Sequence, residues 1–369
     1  MPAAQKRILP DRSGPRPSYV SSSPRDCFQI FFVHIEKTGG TTVRHLFEKQ
    51  ARKEGIEYYM QGYLKRGNDL RTPCEGRKGW YARHCCTWQR LMSDLKANMT
   101  SHPRLFVEVR GSRLAVEKAM EDLRYLRERN GDQCPLIIFT LLREPHRQLV
   151  SFYRYFTLVD QTRRTQSFGK SFAEWIPFNM QSEILVGNDV GFKALYNKQG
   201  RPQDRRDRGK DPATFEDAAA VLDGMDLVGV TRLFNALILR LSDLTGISHI
   251  RYEVANMARG KKFNDIASVN YENLAPKKVE GAPPPLPPDE ARALIANHTE
   301  IDKRLFEEYE RRFEKQIAAL GDDFKERLDA YEEELLSAQR KRPAKAMWGG
   351  QGGFRHLAAP ASEHQSLSN

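Results

Sequence analysis

No stretch of this chain holds the run of about eighteen apolar residues that a membrane-spanning helix needs, so no span is expected. The first 28 residues, MPAAQKRILPDRSGPRPSYVSSSPRDCF, lack the apolar core of a secretory signal and are rich in polar residues, Pro and Ser. As written, the chain is expected to carry neither anchor nor signal. Cysteine is sparse. Cys27, Cys74, Cys85, Cys86 and Cys134 form an odd set, which excludes complete pairing within one chain, and no CxxC spacing points to zinc. Cys74 with Cys85 or Cys86 could close a short loop in an oxidising compartment. No His, Asp and Glu cluster has metal-ligand spacing, so no metal is expected. Neither a GxSxG elbow nor a Cys/His signature marks a hydrolase, and no segment repeats.

What is present is a chain of 369 residues, 40% hydrophobic and 29% charged, enough for a sizeable core with solvated appendages. The formal charge of +11 directs attention to polyanions: nucleic acid, anionic membrane, a phosphorylated cofactor or an acidic polysaccharide. Charge alone does not choose among these, and it also serves as a plain solubilising surface. Asn98-Met-Thr100 and Asn297-His-Thr299 are glycosylation sequons, triplets that also arise by chance.

The polar segment 1–27 reads as disordered, and ordered structure is expected from Phe28-Gln-Ile-Phe-Phe-Val33, an apolar run suited to a buried parallel strand. It enters a Gly-containing turn and then a helix in which Val43, Leu46 and Phe47 keep helical spacing. Further strands are expected at 104–109, 135–142 and 226–230, each followed by a helix: through about Arg129, from Glu144 to Phe156, and from about Arg232 to Leu244. Strands alternating with helices specify an α/β domain with a central, mainly parallel sheet flanked by helices. Residues 199–211 read as a mobile basic loop, and 281–288 as a stiff Pro-rich connector. A long charged helical region follows, from about Asp289 to Arg340. There Ile301, Leu305, Tyr309, Phe313 and Ile317 form a stripe that fits docking on the core better than a coiled-coil partner site. The domain is expected to span 28–320, with a charged helical extension over 321–346 and a disordered tail over 347–369.

Lys37-Thr-Gly-Gly-Thr-Thr42 falls between the first strand and the first helix. Gly39 and Gly40 permit backbone torsions that let successive N–H groups converge on an anion. The helix start adds free N–H groups and a positive dipole end. Lys37 supplies a full charge, and Thr38, Thr41 and Thr42 supply hydroxyls. The result is a phosphate or sulfate cradle, although the same residues also make a tight turn with Thr as N-cap. The GxxxxGK[ST] signature of P-loop NTPases is absent, because Lys37 precedes the glycines. Downstream, Arg143 leaves a strand end, where charge-assisted bonds to a phosphate are available, and Ser151 lies eight residues on in the next helix.

His34-Ile-Glu-Lys-Thr-Gly-Gly-Thr-Thr42 resembles the donor-binding loop of Golgi carbohydrate sulfotransferases, particularly the heparan sulfate 2-O and 6-O and chondroitin/dermatan types, with Glu36 at a variable position. Leu142-Arg-Glu-Pro-His-Arg-Gln-Leu-Val-Ser-Phe-Tyr153 resembles that family's segment for the 3′-phosphate. Weaker likenesses follow in order: Phe178-Asn-Met-Gln-Ser182 through Gly187, Asp226 through Phe234, and Asn297 through Phe306 with Asp302 and Leu305 in register. The resemblance covers roughly 28–320. It implies a P-loop-like three-layer sandwich and the donor 3′-phosphoadenosine-5′-phosphosulfate (PAPS), with 3′-phosphoadenosine-5′-phosphate (PAP) as product. It also implies a carbohydrate acceptor such as an acidic polysaccharide, with no nucleic acid, and a Golgi lumen or Golgi membrane location. By the same resemblance Lys37 neutralises the bridging oxygen, residues 39–42 hold the 5′-phosphosulfate, and Arg143 and Ser151 anchor the 3′-phosphate.

The proton acceptor is less plainly marked. The 2-O and 6-O enzymes carry a His just after the second strand, where this chain reads Phe106-Val-Glu-Val-Arg-Gly111. Related 3-O and N-sulfotransferases use a Glu, so Glu108 resembles the base; the alternative for it is an edge-strand ion pair with Arg110. His84 and then His102 are further candidates, while His34 is expected to pack against or bond the loop. Two other classes compete: a basic polyanion- or nucleic-acid-binding α/β protein, and a nucleotide-dependent kinase, for which no acidic Mg²⁺ motif is evident.

Overall fold

Phe28–His34 form β1, and every side chain in it is buried, as a strand covered on both faces requires. The structure, a computed structural model, describes residues 26–61, 88–110, 116–130, 134–154, 171–187, 212–248, 250–252 and 286–340. Helix α1 (Gly40–Glu54) follows the loop and buries Val43, Leu46, Phe47 and Gln50 on one face. It ends where Gly55 takes the left-handed conformation, φ 66°. Then come β2 (Glu57–Gln61), α2 (Trp88–Ala97), β3 (Arg104–Arg110), α3 (Val116–Asn130), β4 (Leu136–Leu142) and α4 (Pro145–Arg154). The short helices α5 (Phe172–Trp175) and α6 (Met180–Leu185) precede α7 (Phe215–Asp223), β5 (Leu227–Val230) and α8 (Phe234–Thr245). Three helices close the described chain: α9 (Pro288–His298), α10 (Glu300–Ala318) and α11 (Gly321–Arg340).

The five described strands form one parallel sheet in the order β2-β3-β1-β4-β5. With helices on its faces, this is the expected α/β three-layer sandwich. Its centre is aromatic: Phe32 stacks on Phe139 with ring centroids 4.7 Å apart, and Phe106 is stacked between Phe47 at 3.9 Å and Tyr58 at 5.4 Å. Each such ring, fully buried, contributes on the order of 1.5–3 kcal/mol of apolar burial. The stripe on α10 docks on the core as its spacing implies, with Leu305, Tyr309 and Phe313 buried against β5 and α7. The long charged region is not one helix. It breaks at Thr299 and again before Gly321, which has φ 79°, and α11 packs on α8 through Phe324, Tyr331 and Leu335. No helix among the described residues is long and apolar enough to cross a membrane.

A disulfide joins Cys27 to Cys134, fastening the chain just before β1 to the chain just before β4. Spacing could not reveal this pair, because 107 residues separate the two cysteines. They become neighbours only through the β1–β4 register, which sets Gln29 beside Leu136. Cys74, Cys85 and Cys86 lie outside the described residues, as do 1–25, the 199–211 loop, residues 281–285 of the connector and the segment from 341 to 369. Both sequon asparagines, Asn98 and Asn297, are exposed.

Candidate anion-binding site

The strand order reverses at β1. The chain leaves β1 for the β2 edge, returns through β3, and then crosses to β4 on the other side of β1. A crevice opens at such a reversal outside the carboxyl ends of the strands, and there open α/β sheets place their ligands. His34, Arg110 and Leu142 end β1, β3 and β4 at this place.

The loop from Ile35 to Gly39 is held by three side chains from elsewhere in the chain. Arg143 donates from Nη1 to the Lys37 carbonyl at 2.9 Å, and Gln148 donates from Nε2 to the Glu36 carbonyl at 3.0 Å. The Thr231 hydroxyl reaches the carbonyls of Thr38 at 3.2 Å and Leu142 at 3.0 Å, tying the loop to the end of β4. On β4 itself, the Thr140 hydroxyl donates to the Val33 carbonyl at 2.7 Å. This support sustains Lys37 at φ 67°, a left-handed conformation that costs a residue with a Cβ about 1–2 kcal/mol. Gly39 is also left-handed, at φ 101°, and starts α1 without a side-chain cap. The N–H groups of Gly40 and Thr41 open that helix, where geometry gives them no intrahelical acceptor and the dipole is positive. At Gly40 a Cβ would lie 2.1 Å from Cδ2 and Nε2 of His34, so the imidazole fills the volume that any larger residue there would need.

Cations crowd the opening. Burial and then Arg143 lower the Lys37 ammonium to about 8. Burial and then Arg147 lower the Arg143 guanidinium to about 10. A depressed Lys and a depressed Arg that repel each other beside a helix N-terminus make a place where an anion relieves the strain of like charge. Along α4, Arg147, Ser151 and Arg154 are half-buried at spacings of four and three residues, so they continue one face away from the Pro145 end.

Behind Arg143 stands a chain of clamps. Gln181 mimics a neighbouring strand: its Oε1 accepts the Arg143 N–H at 3.0 Å and its Nε2 donates to the Arg143 carbonyl at 2.7 Å. The carboxylate of Asp302 accepts the N–H groups of Gln181 and Ser182, at 2.9 and 2.8 Å, and the Ser182 hydroxyl at 2.5 Å. Asn179, left-handed at φ 42°, accepts from the N–H of Ile301 at 3.0 Å with its Oδ1, so each of two helix starts is capped from the other segment. Asn179, Gln181, Thr231 and Asp302 all come from the three stretches whose likeness to the sulfotransferases was weak, and they converge on Arg143 and the loop.

Several expected roles are altered. Thr38 is fully buried, and its hydroxyl donates to the Ile35 carbonyl at 2.8 Å, so that proton is spent inside the turn and not on a ligand. Thr41 is half-buried beside Gly40; Thr42 is buried, and its N–H donates to the Gly39 carbonyl. Ser151 forms no hydrogen bond with Arg143 or the loop among the described residues. At about 1.5 Å of rise per residue it sits about 9 Å along α4 from Pro145. Glu108 is not on an edge, since β3 runs between β2 and β1, and its ion-pair partner is Arg44. It has no exposed surface. Oε1 accepts from His34 Nδ1 and Arg44 Nη2, both at 2.6 Å, and Oε2 accepts from Arg44 Nε at 2.8 Å and the Tyr58 hydroxyl at 3.1 Å. Burial alone would raise its pKa, but the bonds from Arg44 and His34 hold the carboxyl well below the usual range. A carboxylate so supplied with donors is a poor proton acceptor, which removes the physical basis for Glu108 as the base. His102 bonds Glu57 at the opposite ends of β2 and β3, about 20 Å from the crevice by strand rise. His84 lies outside the described residues. Arg44 and Gln148 carried no individual signal in the sequence, because their partners, Glu108 and the Glu36 carbonyl, lie 64 and 112 residues away in the chain.

No protein-family model matches the chain, and no curated protein matches it either.

Proposed function

We propose that the protein transfers a sulfuryl group from PAPS to a hydroxyl of a carbohydrate acceptor, by in-line displacement without a covalent enzyme intermediate. One observation carries the reading: Lys37, Arg143 and Arg147 crowd together at the N-terminus of α1, beside the crevice where the strand order reverses. The residues fit the donor's chemistry, which offers a phosphosulfate to a helix start and a separate phosphate to a guanidinium. When bound, PAPS supplies an activated sulfur with a phosphate leaving group. The N–H groups of Gly40 and Thr41, with the hydroxyl of Thr41, hold the phosphosulfate end. Lys37 faces the oxygen on which charge develops, and Arg143, with Arg147 and Ser151 beyond it on α4, faces the 3′-phosphate. Catalysis of this kind rests on positioning and on preorganised charge. Gln181, Gln148 and Thr231 supply that preorganisation by fixing Arg143 and the loop.

The chain's formal charge of +11 favours an acidic glycan or polysaccharide as acceptor. The Cys27–Cys134 disulfide favours an oxidising compartment, in keeping with a Golgi lumen. A thermal-shift comparison of PAP with ATP and AMP tests the reading, since a ligand stabilises by RT ln(1 + [L]/Kd). PAP is expected to raise the melting temperature in wild type and to raise it much less in Arg143→Ala. Stabilisation by ATP with Mg²⁺ and none by PAP transfers the site to the kinase class.

A further inference from the structure

At the end of β1, beside β3, stands a residue placed to move a proton. Nδ1 of His34 lies 2.6 Å from Oε1 of Glu108, whose carboxylate is fully buried and anchored by both Nε and Nη2 of Arg44. A carboxylate that stays ionised takes the Nδ1–H of the ring, which leaves the lone pair on Nε2. The His34 ring is also pinned in plane, stacked on Phe32 with centroids 5.3 Å apart and an interplanar angle of 16°. Its Nε2–Cδ2 edge lies against Gly40, the first residue of α1, in the volume where a side chain at that position would begin. In P-loop NTPases the residue after the last loop glycine is the Lys that reaches the terminal phosphates. Here that residue is Gly40, and the imidazole of His34 occupies the start of the same path. Nε2 makes no hydrogen bond among the described residues, while every oxygen of Glu108 is engaged.

We infer that His34 is the catalytic base of the proposed transfer and that Glu108 is its positioning residue, held in turn by Arg44 and Tyr58. The inference rests on the sulfotransferase reading. Nε2 of His34 takes the proton of the acceptor hydroxyl as that oxygen bonds to sulfur. The bond from sulfur to the 5′-phosphate oxygen breaks, its electron pair stays on that oxygen beside Lys37, and the proton leaves His34 to solvent after product release. His34 is 5% exposed, so its ring is held by protein contacts and not by solvent. A carboxylate–imidazole pair is the usual means of fixing a tautomer for this work.

Two sulfuryl transfers with different demands separate this role from a structural one. Transfer from PAPS to a sugar hydroxyl, followed with radiolabelled donor over a panel of desulfated glycosaminoglycans, needs a base. Transfer from p-nitrophenyl sulfate to PAP, followed by nitrophenolate release, does not, because the accepting phosphate oxygen is already ionised. His34→Asn is expected to lower the first by 10²-fold or more, within the range for general base catalysis. The second should fall less than about threefold, and the PAP thermal shift should persist. Turnover of the sugar at the wild-type rate, or equal loss of both transfers with PAP binding intact, overturns the assignment. Should the variant not fold, wild type decides. Diethyl pyrocarbonate is expected to acylate His34, with PAP slowing the modification and hydroxylamine restoring sugar transfer. Loss of sugar transfer with His34 unmodified, or modification indifferent to PAP, overturns it equally. A wild type that does not bind PAP brings down the sulfotransferase reading itself, and the inference with it.

Discussion

Glu108 and Asp302 are the two most deeply buried carboxylates among the described residues, and they respond to burial in opposite ways. Glu108, at the end of β3, is ringed by Arg44, His34 and Tyr58. Asp302, on the first turn of α10, is ringed by two backbone N–H groups and the Ser182 hydroxyl. The number of donors is similar; their charge is not. Burial penalises both anions, but Arg44 overcomes it for Glu108 and holds that carboxyl below the usual range. Neutral donors do not overcome it for Asp302, which is raised to about 6. The comparison teaches that a hydrogen-bond count does not settle the charge of a buried acid. A full positive charge in contact does.

The sharpest way to break the contrast is to remove that charge. Arg44→Leu leaves Glu108 buried with neutral partners, and splitting a buried ion pair costs on the order of 3–5 kcal/mol. Urea unfolding at neutral pH is expected to show a loss of this size. The acid limb should change as well. A carboxyl depressed on folding contributes stability above the ordinary Glu value of about 4.3, and that stability is lost as pH falls towards the folded pKa. The variant is therefore expected to lose less than wild type between about pH 5 and pH 3. A variant as stable as wild type would show that Arg44 is dispensable to the network.

Asp302 tests the other arm, with the reverse sign. Its folded pKa lies above the ordinary Asp value of about 3.9, so its contribution is complete below that value and is lost as pH rises through about 6. At 1.36 kcal/mol per pH unit, the loss is on the order of 2–3 kcal/mol by pH 7. Asp302→Asn removes the titrating group, and its melting temperature is expected to vary less than that of wild type between pH 4 and 7. Parallel curves for the two proteins would mean that Asp302 does not titrate in that range.

Cations at the crevice obey the same rule turned around. Lys37 sits low because burial and Arg143 both oppose its charge. Arg143→Ala is expected to raise the Lys37 titration above about 8, measured on ¹³C-methylated lysines by NMR. It should also weaken PAP about 10- to 100-fold, as the loss of a charge-assisted bond of about 1.5–3 kcal/mol implies. Unfolding stability should move by less than about 1 kcal/mol, since one hydrogen bond to the Lys37 carbonyl is lost while a repulsion is relieved. Weaker PAP binding with Lys37 unmoved would uncouple the two cations.

How much of this was legible in the sequence follows from how far each residue acts. The strand–loop–helix around Lys37 could be read because its signals are contiguous: an apolar run, two glycines, then Val43, Leu46 and Phe47 at helical spacing. The three-layer architecture followed from alternating strands and helices, and β1, β3, β4 and β5 lie within a residue or two of their expected bounds. Strand β2 was not expected, since Glu57–Gln61 is short and begins with a charge. The break at Thr299 was hidden because no Gly or Pro marks it between the two charged helices. Glu108 was singled out as chemistry, but its role depends on Arg44 and His34, which are 64 and 74 residues away. Pairings across a sheet leave no periodic trace, so a motif residue was visible while its charge state was not.

The smallest effect separates support of the site from chemistry at it. Thr231 gives one hydroxyl proton to two carbonyls, of Thr38 in the loop and Leu142 at the end of β4. It touches neither Glu108 nor Asp302 in any described bond, so Thr231→Val should leave both pH limbs unchanged. Losing one neutral hydrogen bond costs about 1 kcal/mol, and the partly buried setting keeps the cost from growing. Around the left-handed Lys37, Gln148, Arg143 and Thr231 tie down the carbonyls of Glu36, Lys37 and Thr38. The variant should therefore weaken PAP by a few-fold, with its rate of sulfuryl transfer at saturating donor close to that of wild type. Thermal melts with and without PAP measure the first quantity, and initial rates at saturating PAPS the second. A large fall in the saturated rate would show that the loop needs Thr231 for its working geometry, and that the two sides of β1 are mechanically linked through Thr38.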